Sequence, residues 1–553
     1  MIGVIPRPEQ LPVVEEFFEL FKTPWEVYRP GRHYDVVVAT VTDVPDVEAG
    51  LLIVYGAEQA SVDARHGIVG AARQRNTSVD CEGRALPIYG ELLTFAESRT
   101  ATRCIESSAG IAGLRVRSPR ATVVRVGYDL FRDVEFLLSV GQPVEQAHVP
   151  TLDLHIRMLR NWILDAGVQL LEIAPAPAGY DSLVCLTHDI DFVGIRRHLF
   201  DHTMWGFLYR STVGTVRNVF KGRLSIARMM QAWRAAASLP FVYLGWAKDF
   251  WEPFAWYLKV EKGLPATYYL IPFKGRSGER VPVAGASRRA TAYDITDLDQ
   301  WTTVLTKEGC ELGVHGIDAW HDENKGRDEL GRVAAVTGGD SVGIRMHWLL
   351  QDANTPAVLE RAGYAYDTTA GYNETIGYRN GTTQVFRPLG ATTLLELPMH
   401  IQDGALFYPR PRLGLTEPEA ELRCKTLIEH ARRAGGALTV LWHDRSHGPE
   451  RFWGDFYVTL VRTLRSTKAW FSTAGQAVSW FRKRREVRFE RVEDARGSRV
   501  HLRYDGAVIQ PPLRIIVHRP SGQESATDIP WNGGRVVEFE SVHRRSQSVG
   551  SSI

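Results

Sequence analysis

Apolar positions from Leu11 to Phe21 recur at helical spacing and predict an amphipathic helix. Three short apolar runs of strand length follow, Tyr34–Ala39, Leu51–Tyr55 and Ala121–Val126. Helical spacing returns from Thr151 to Glu172. Strands alternating with helices predict an α/β open-sheet domain over residues 1–178. The run Ala174-Pro175-Ala176-Pro177-Ala178-Gly179 then breaks the pattern and marks a boundary. From 179 to 485 the alternation resumes, with strands expected at Leu183–Leu186, Ala266–Ile271, Glu311–Val314, Val342–Arg345, Thr393–Leu397 and Ala437–Leu441. That order suits a parallel sheet or barrel. From 486 to 545 the period drops to two, as in Val487–Val492, Arg499–Tyr504 and Arg535–Phe539, which predicts a small antiparallel β module with one solvated face. Residues 546–553 read as a disordered tail.

Composition narrows the class. A chain of 553 residues holds about three domains at roughly 100–200 residues each. With 44% apolar and 24% charged residues it is an ordinary globular protein, not a disordered one. Lys plus Arg is 66 and Asp plus Glu is 64, a net charge of +2 that gives no support for a nucleic-acid partner. Five scattered cysteines form no CxxC pair, which argues against a disulfide framework or a cysteine-based zinc site and fits a reducing compartment. Residues Met1–Arg7 lack the features of a secretory signal, and no apolar run reaches the roughly 18 residues that span a bilayer. The expected localisation is cytoplasmic.

Polar clusters fall at the ends of the predicted strands of the middle segment, which is the functional edge of parallel α/β folds. They are Thr187-His188-Asp189-Ile190-Asp191, then His315 to His321, then Arg345-Met346-His347, then Glu396 to Asp403, and last Trp442-His443-Asp444. Any one of them has a bland reading, since an Asp after a strand is a common turn former and a His beside Trp commonly packs in a core. Five in succession, all rich in Asp and His, point to a shared site.

The ordered set resembles the polysaccharide deacetylase superfamily, the NodB-homology or carbohydrate esterase family 4 type. Thr187-His188-Asp189-Ile190-Asp191 is similar to a variant of that family's first motif, His315 to the first histidine of the second, Arg345 to the third and Leu441-Trp442-His443 to the fifth. The resemblance covers about 300 residues and implies a distorted (β/α) barrel over 179–485. It implies Asp189 as general base, Arg345 orienting that base, His443 as general acid, and Asp191 and His315 as metal ligands. It also implies one divalent metal, zinc before cobalt, nickel, manganese or iron, which activates a water for attack on an amide. Asp403 or Asp444 is expected to hold the other nitrogen of His443.

The second motif is half matched, because Ala319 stands where its second histidine belongs. Three protein ligands are the norm for such a metal. His347, two residues past Arg345, shares a strand face with it, and some superfamily branches carry Arg-x-His here. His321 is the alternative, but six residues past His315 it lies about 240° round a helix and serves only from a loop.

The expected substrate is an N-acetylated amino-sugar glycan or precursor, as in exopolysaccharide biosynthesis. A non-sugar linear or cyclic amide, or a silent glycan-binding scaffold, are the competing readings. The aromatic, polar stretches Tyr366–Asn373 and Gly377–Thr382 suit a sugar, and ordinary turns look the same. Residues 194–257 form a basic and aromatic helical insertion, read either as a cap packed on the barrel or as a surface for peripheral membrane contact.

Overall fold

The structure is a computed structural model that describes residues 1–118, 121–281, 286–339, 341–494, 497–530 and 537–540. It is a mixed α/β protein with two compact units. One comprises Met1–Phe136, Thr151–Ala178 and Trp480–Ile553, the other Leu137–Pro150 and Gly179–Ser479. One cut falls between Ala178 and Gly179, the boundary read from the sequence, whereas the later one falls at 479/480 and not at 485/486, and residues 137–150 group with the second unit. The predicted tail at 546–553 lies outside the described residues.

The first unit holds a nine-stranded mixed sheet. Its parallel part runs in the order Trp25–Val27, Ile2–Ile5, Tyr34–Ala39, Ala49–Tyr55, Thr122–Val126. The helix Leu11–Phe21 buries Val13, Val14, Phe17, Phe18 and Phe21, the stripe its spacing predicted, and ends where Lys22 turns left-handed at φ 44°. The long antiparallel strands Gly70–Cys81 and Arg84–Phe95 were not expected, because their mixed composition shows neither clean period. The helix expected to reach Glu172 stops at Asp165. Gly167, at φ +82°, turns the chain, and Leu170–Ile173 becomes a strand. That strand pairs antiparallel with Leu513–His518, so the C-terminal strands divide between two small sheets, Leu170–Ile173 with 513–529 and Arg488–Asp494 with Gly497–Arg503 and Val537–Glu540.

The second unit is built on a parallel sheet in the order Ile344–Met346, Glu311–Gly316, Ala266–Leu270, Ser182–Ile190, Ala437–Leu441, Ile401–Gln402. All nine residues of Ser182–Ile190 are buried, as expected for a strand covered on both faces. A strand expected at Thr393–Leu397 forms only isolated bridges, Glu396 with Asp367 and with Phe386. Pro398 offers no N–H there, and the ladder resumes at Ile401. The segment 396–402 closes the sheet. Leu397 and Met399 donate to the carbonyls of Asp367 and Ala370 on one side, while His400 donates to Thr439 on the other. Asp367 in turn bridges Ile344. The result is a distorted barrel around a core that includes Leu186, Ile190, Leu270, Val314, Ile344 and Val440.

The insertion after the first strand is a helical hairpin. Helical turns run without a break from His202 through a π-helical stretch at Arg210–Gly214 to Phe220, and Ile226–Tyr243 returns. Ile195, Phe207, Leu239, Val242 and Trp251 form its own small core. No described helix is long and apolar enough to cross a membrane.

Candidate active site

Strand alternation places the chemistry. On Ser182–Ile190, Thr187 and Asp189 point to one side, and His188 points to the other. His188 packs on Tyr257 and bonds to Glu261 Oε1 at 2.8 Å, away from the site. Asp189 Oδ1 accepts from Arg345 Nη1 at 3.0 Å, and the same nitrogen donates to Thr187 Oγ1 at 2.8 Å. Arg345 is fully buried over the ring of Tyr269, and its remaining N–H groups reach the Thr368 carbonyl and hydroxyl at 3.1 Å. The guanidinium is therefore fixed from four sides.

Asp191, His315 and His347 converge, with their ligand atoms within 4.8 Å of one another. Asp191 Oδ1 lies 3.4 Å from His315 Nε2 and 3.5 Å from His347 Nε2. Donors about 2.1 Å from a tetrahedral ion stand about 3.4 Å apart, so the spacing suits one. His315 Nδ1 bonds to the Arg345 carbonyl at 3.0 Å, which makes Nδ1 the protonated nitrogen and leaves a lone pair on Nε2. Burial pushes His347 well below its ordinary value, which favours its neutral, lone-pair form. Asp191 Oδ1 is buried without a hydrogen-bond partner, a costly state that a cation among the three groups would relieve. The residues present thus fit a divalent metal.

His321 does not join them. Its Nε2 meets Asp318 Oδ1 at 3.2 Å, and its buried side chain stands outside the cluster. Asp403 and Asp444, treated alike in the sequence, part company. Asp403 Oδ1 bonds to His443 Nδ1 at 2.6 Å, and its Oδ2 accepts from the His443 backbone N–H at 2.8 Å and from Ser446 Oγ. Burial lowers His443, but Asp403, then Asp191 and Asp189, raise it to about 10. Asp444 Oδ2 instead accepts from the backbone N–H groups of Phe192 and Val193 at 2.7 and 3.0 Å. It thereby holds the turn after Asp191, where Val193 sits at φ 63°, a conformation that a β-branched residue adopts only under constraint.

Asp189, Asp191, His315, His347, His443 and Asp444 line one cleft of about 220 Å³. Trp348, Asn373 and Gln402 line it too. Of the aromatic stretches at 366–382, only Asn373 reaches the cleft. Thr368 holds Arg345, while Tyr372 and Asn380 bond to the backbone at Gln142 and Leu137. Four cleft arginines, Arg288, Arg412, Arg445 and Arg451, escaped the sequence reading along with Tyr408. Arg445 directly follows Asp444, and that adjacency was the available signal.

No family model and no curated protein matches the chain. Among solved structures it is similar to a protein assigned as a polysaccharide deacetylase from Mycobacterium smegmatis, at 18% identity and TM-score 0.33 over 56% of this chain and 95% of that one. It is also similar to an allantoinase, at 13% identity and TM-score 0.34 over 55% and 92%. A third, assigned as a polysaccharide deacetylase from Pseudomonas aeruginosa PAO1, shows 14% identity and TM-score 0.33 over 55% and 92%.

Proposed function

We propose that this protein is a metal-dependent hydrolase that removes N-acetyl groups from an amino-sugar-containing glycan or its precursor. The observation that carries the reading is the set of three converging lone pairs, on Asp191, His315 and His347, in one cleft with an Arg345-bound carboxylate and an Asp403-bound imidazole. Asp191, His315 and His347 hold one divalent ion, zinc by preference for a carboxylate and two imidazoles. When bound, the ion supplies Lewis acidity to a water and to the amide carbonyl. Asp189 takes the proton of the attacking water, and Arg345 keeps that carboxylate ionised and aimed. His443 gives a proton from Nε2 to the departing amine while Asp403 holds Nδ1. The C–N bond breaks, and acetate and the free amine leave.

Metal analysis of the purified protein beside Asp191→Asn, with an acetate-release assay on N-acetylated glycan fragments and nucleotide sugars, tests the reading. One equivalent of metal in the wild type, its loss in the variant, and acetate released only by the former are expected. A folded wild type that binds no divalent metal would overturn it.

The helical insertion suggests where the substrate is met, and we propose that it rests on an anionic membrane surface. Among the described residues, twelve of the eighteen exposed large hydrophobic side chains lie between Leu199 and Trp246. Phe220 is 88% exposed and Trp246 75%. The same stretch has six basic residues and a single acidic one, Asp201. Arg217, Lys221, Arg223 and Arg234 are exposed. Arg210 and Arg228 face carboxylates, and the apolar and aromatic groups among the four exposed cations suit the interface of an anionic bilayer.

A further inference from the structure

We infer that the cleft takes a substrate bearing an oxyanion, a phosphate or a carboxylate, which Arg445, Arg451 and Arg412 hold. This rests on the hydrolase reading only for where the amide of that substrate lies.

Four guanidinium groups line the cleft, at Arg288, Arg412, Arg445 and Arg451. Of the carboxylates that line it, Asp189 is engaged with Arg345 and Asp444 with two backbone N–H groups, while Asp191 lies beside His315 and His347 in the candidate metal site. Among the described residues no carboxylate forms an ion pair with any of these four arginines. Nε of Arg445 and Nε of Arg451 are buried without a hydrogen-bond partner. Buried guanidinium N–H groups left unmet are costly, and an anion is the ligand that recovers most of that cost.

The arginines are also held in place. Arg445 lies over the Phe192 ring at 3.5 Å and over Trp251 at 4.8 Å. Arg451 faces Tyr408 and Trp453 at 5.2 and 5.0 Å, and Arg412 faces Tyr408 at 4.8 Å. Stacking fixes the plane of each fork and leaves its edge for planar, bidentate recognition of an oxyanion. The local field agrees. Burial raises the Tyr408 phenol, but Arg451 and Arg445 outweigh it and draw it below its ordinary value. Burial, and after it Arg451, pushes Arg445 down to about 10. Tyr408, Glu450, Asp403 and Asp444 raise Arg451 in turn, so the case rests on the unpartnered N–H groups, which an anion meets with charge and a neutral sugar only with hydroxyls.

Titration calorimetry on the metal-stripped protein separates the inference from the hydrolase reading, since it needs neither metal nor turnover. The probes are inorganic pyrophosphate, glucuronate and, as a neutral control, N,N′-diacetylchitobiose. At least one anion is expected to bind about tenfold or more tightly than chitobiose, and Arg445→Met and Arg412→Gln each to weaken it about tenfold. Preference for pyrophosphate would assign a phosphate-linked sugar, and preference for glucuronate a carboxylated one. Arg412 is part-exposed, so Arg412→Gln decides the matter if circular dichroism shows that Arg445→Met does not fold. Failure of both anions to bind, or binding that survives the folded variants, would overturn the inference.

Discussion

At the scale of single residues, Asp403 decides what His443 can donate. Burial lowers the imidazole, and the carboxylate beside it outweighs that and, with Asp191 and Asp189, raises it to about 10. A general acid works only while protonated, so its activity fails as pH rises through its pKa. Asp403→Asn removes the charge that raises His443. The alkaline limb of the kcat/KM profile is expected to move to lower pH, with a loss of about 10–100-fold at neutral pH and above. A rate profile over pH checks this, and an unmoved limb would detach Asp403 from the acid. The raised imidazole also stabilises the fold below its ordinary value of 6.5, a contribution lost as pH rises toward 10. The meeting of His347, and not His321, with Asp191 and His315 was legible in the residues, although the strand ends at Met346 and His347 opens the turn beyond it. The separate tasks of Asp403 and Asp444 were not. Both are lone carboxylates near a strand end, and only the path of the chain decides that one meets an imidazole and the other a turn.

Elements read more easily where both faces are covered. The strands at Tyr34–Ala39 and Ala437–Leu441 fall at the expected bounds because continuous apolar runs have no other use in short segments. The closing segment at 396–402 was harder, since its pairing is shared between two neighbours and interrupted at Pro398. The hairpin was legible only as a composition, and its exposed face emerges with the fold. Its own small core is satisfied by Phe207, Leu239 and Trp251, which leaves Phe200, Trp205, Phe220 and Trp246 unburied. Co-sedimentation of the whole protein with phosphatidylglycerol vesicles is expected, with little on phosphatidylcholine and less at high salt. Phe220→Ser with Trp246→Ser, or Lys221→Glu with Arg223→Glu, should each cut the bound fraction several-fold. Concentration-dependent dimers that the same changes abolish, without vesicle binding, would mean that a second copy covers this face instead.

For the whole molecule, the proposed metal belongs to one compact unit only, since Asp191, His315 and His347 all lie within Gly179–Ser479. A ligand that binds only the native state raises that state's stability by mass action. Scanning calorimetry is expected to resolve two transitions, of which only one rises on adding zinc. In Asp191→Asn neither should move. A uniform shift of both would mean that the two units melt together.

The pairing of Leu170–Ile173 with Leu513–His518 has a consequence for the order of assembly. A ribosome delivers the barrel segment whole before it reaches residue 513, while the strand at 170 waits for a partner made more than 300 residues later. The barrel can therefore close during synthesis, and the other unit cannot finish until the chain is nearly complete. Nascent chains stopped just short of residue 513 would carry the barrel segment beside a strand, Leu170–Ile173, that has no partner. That unpaired strand is where chaperone contact, or misassembly, should concentrate.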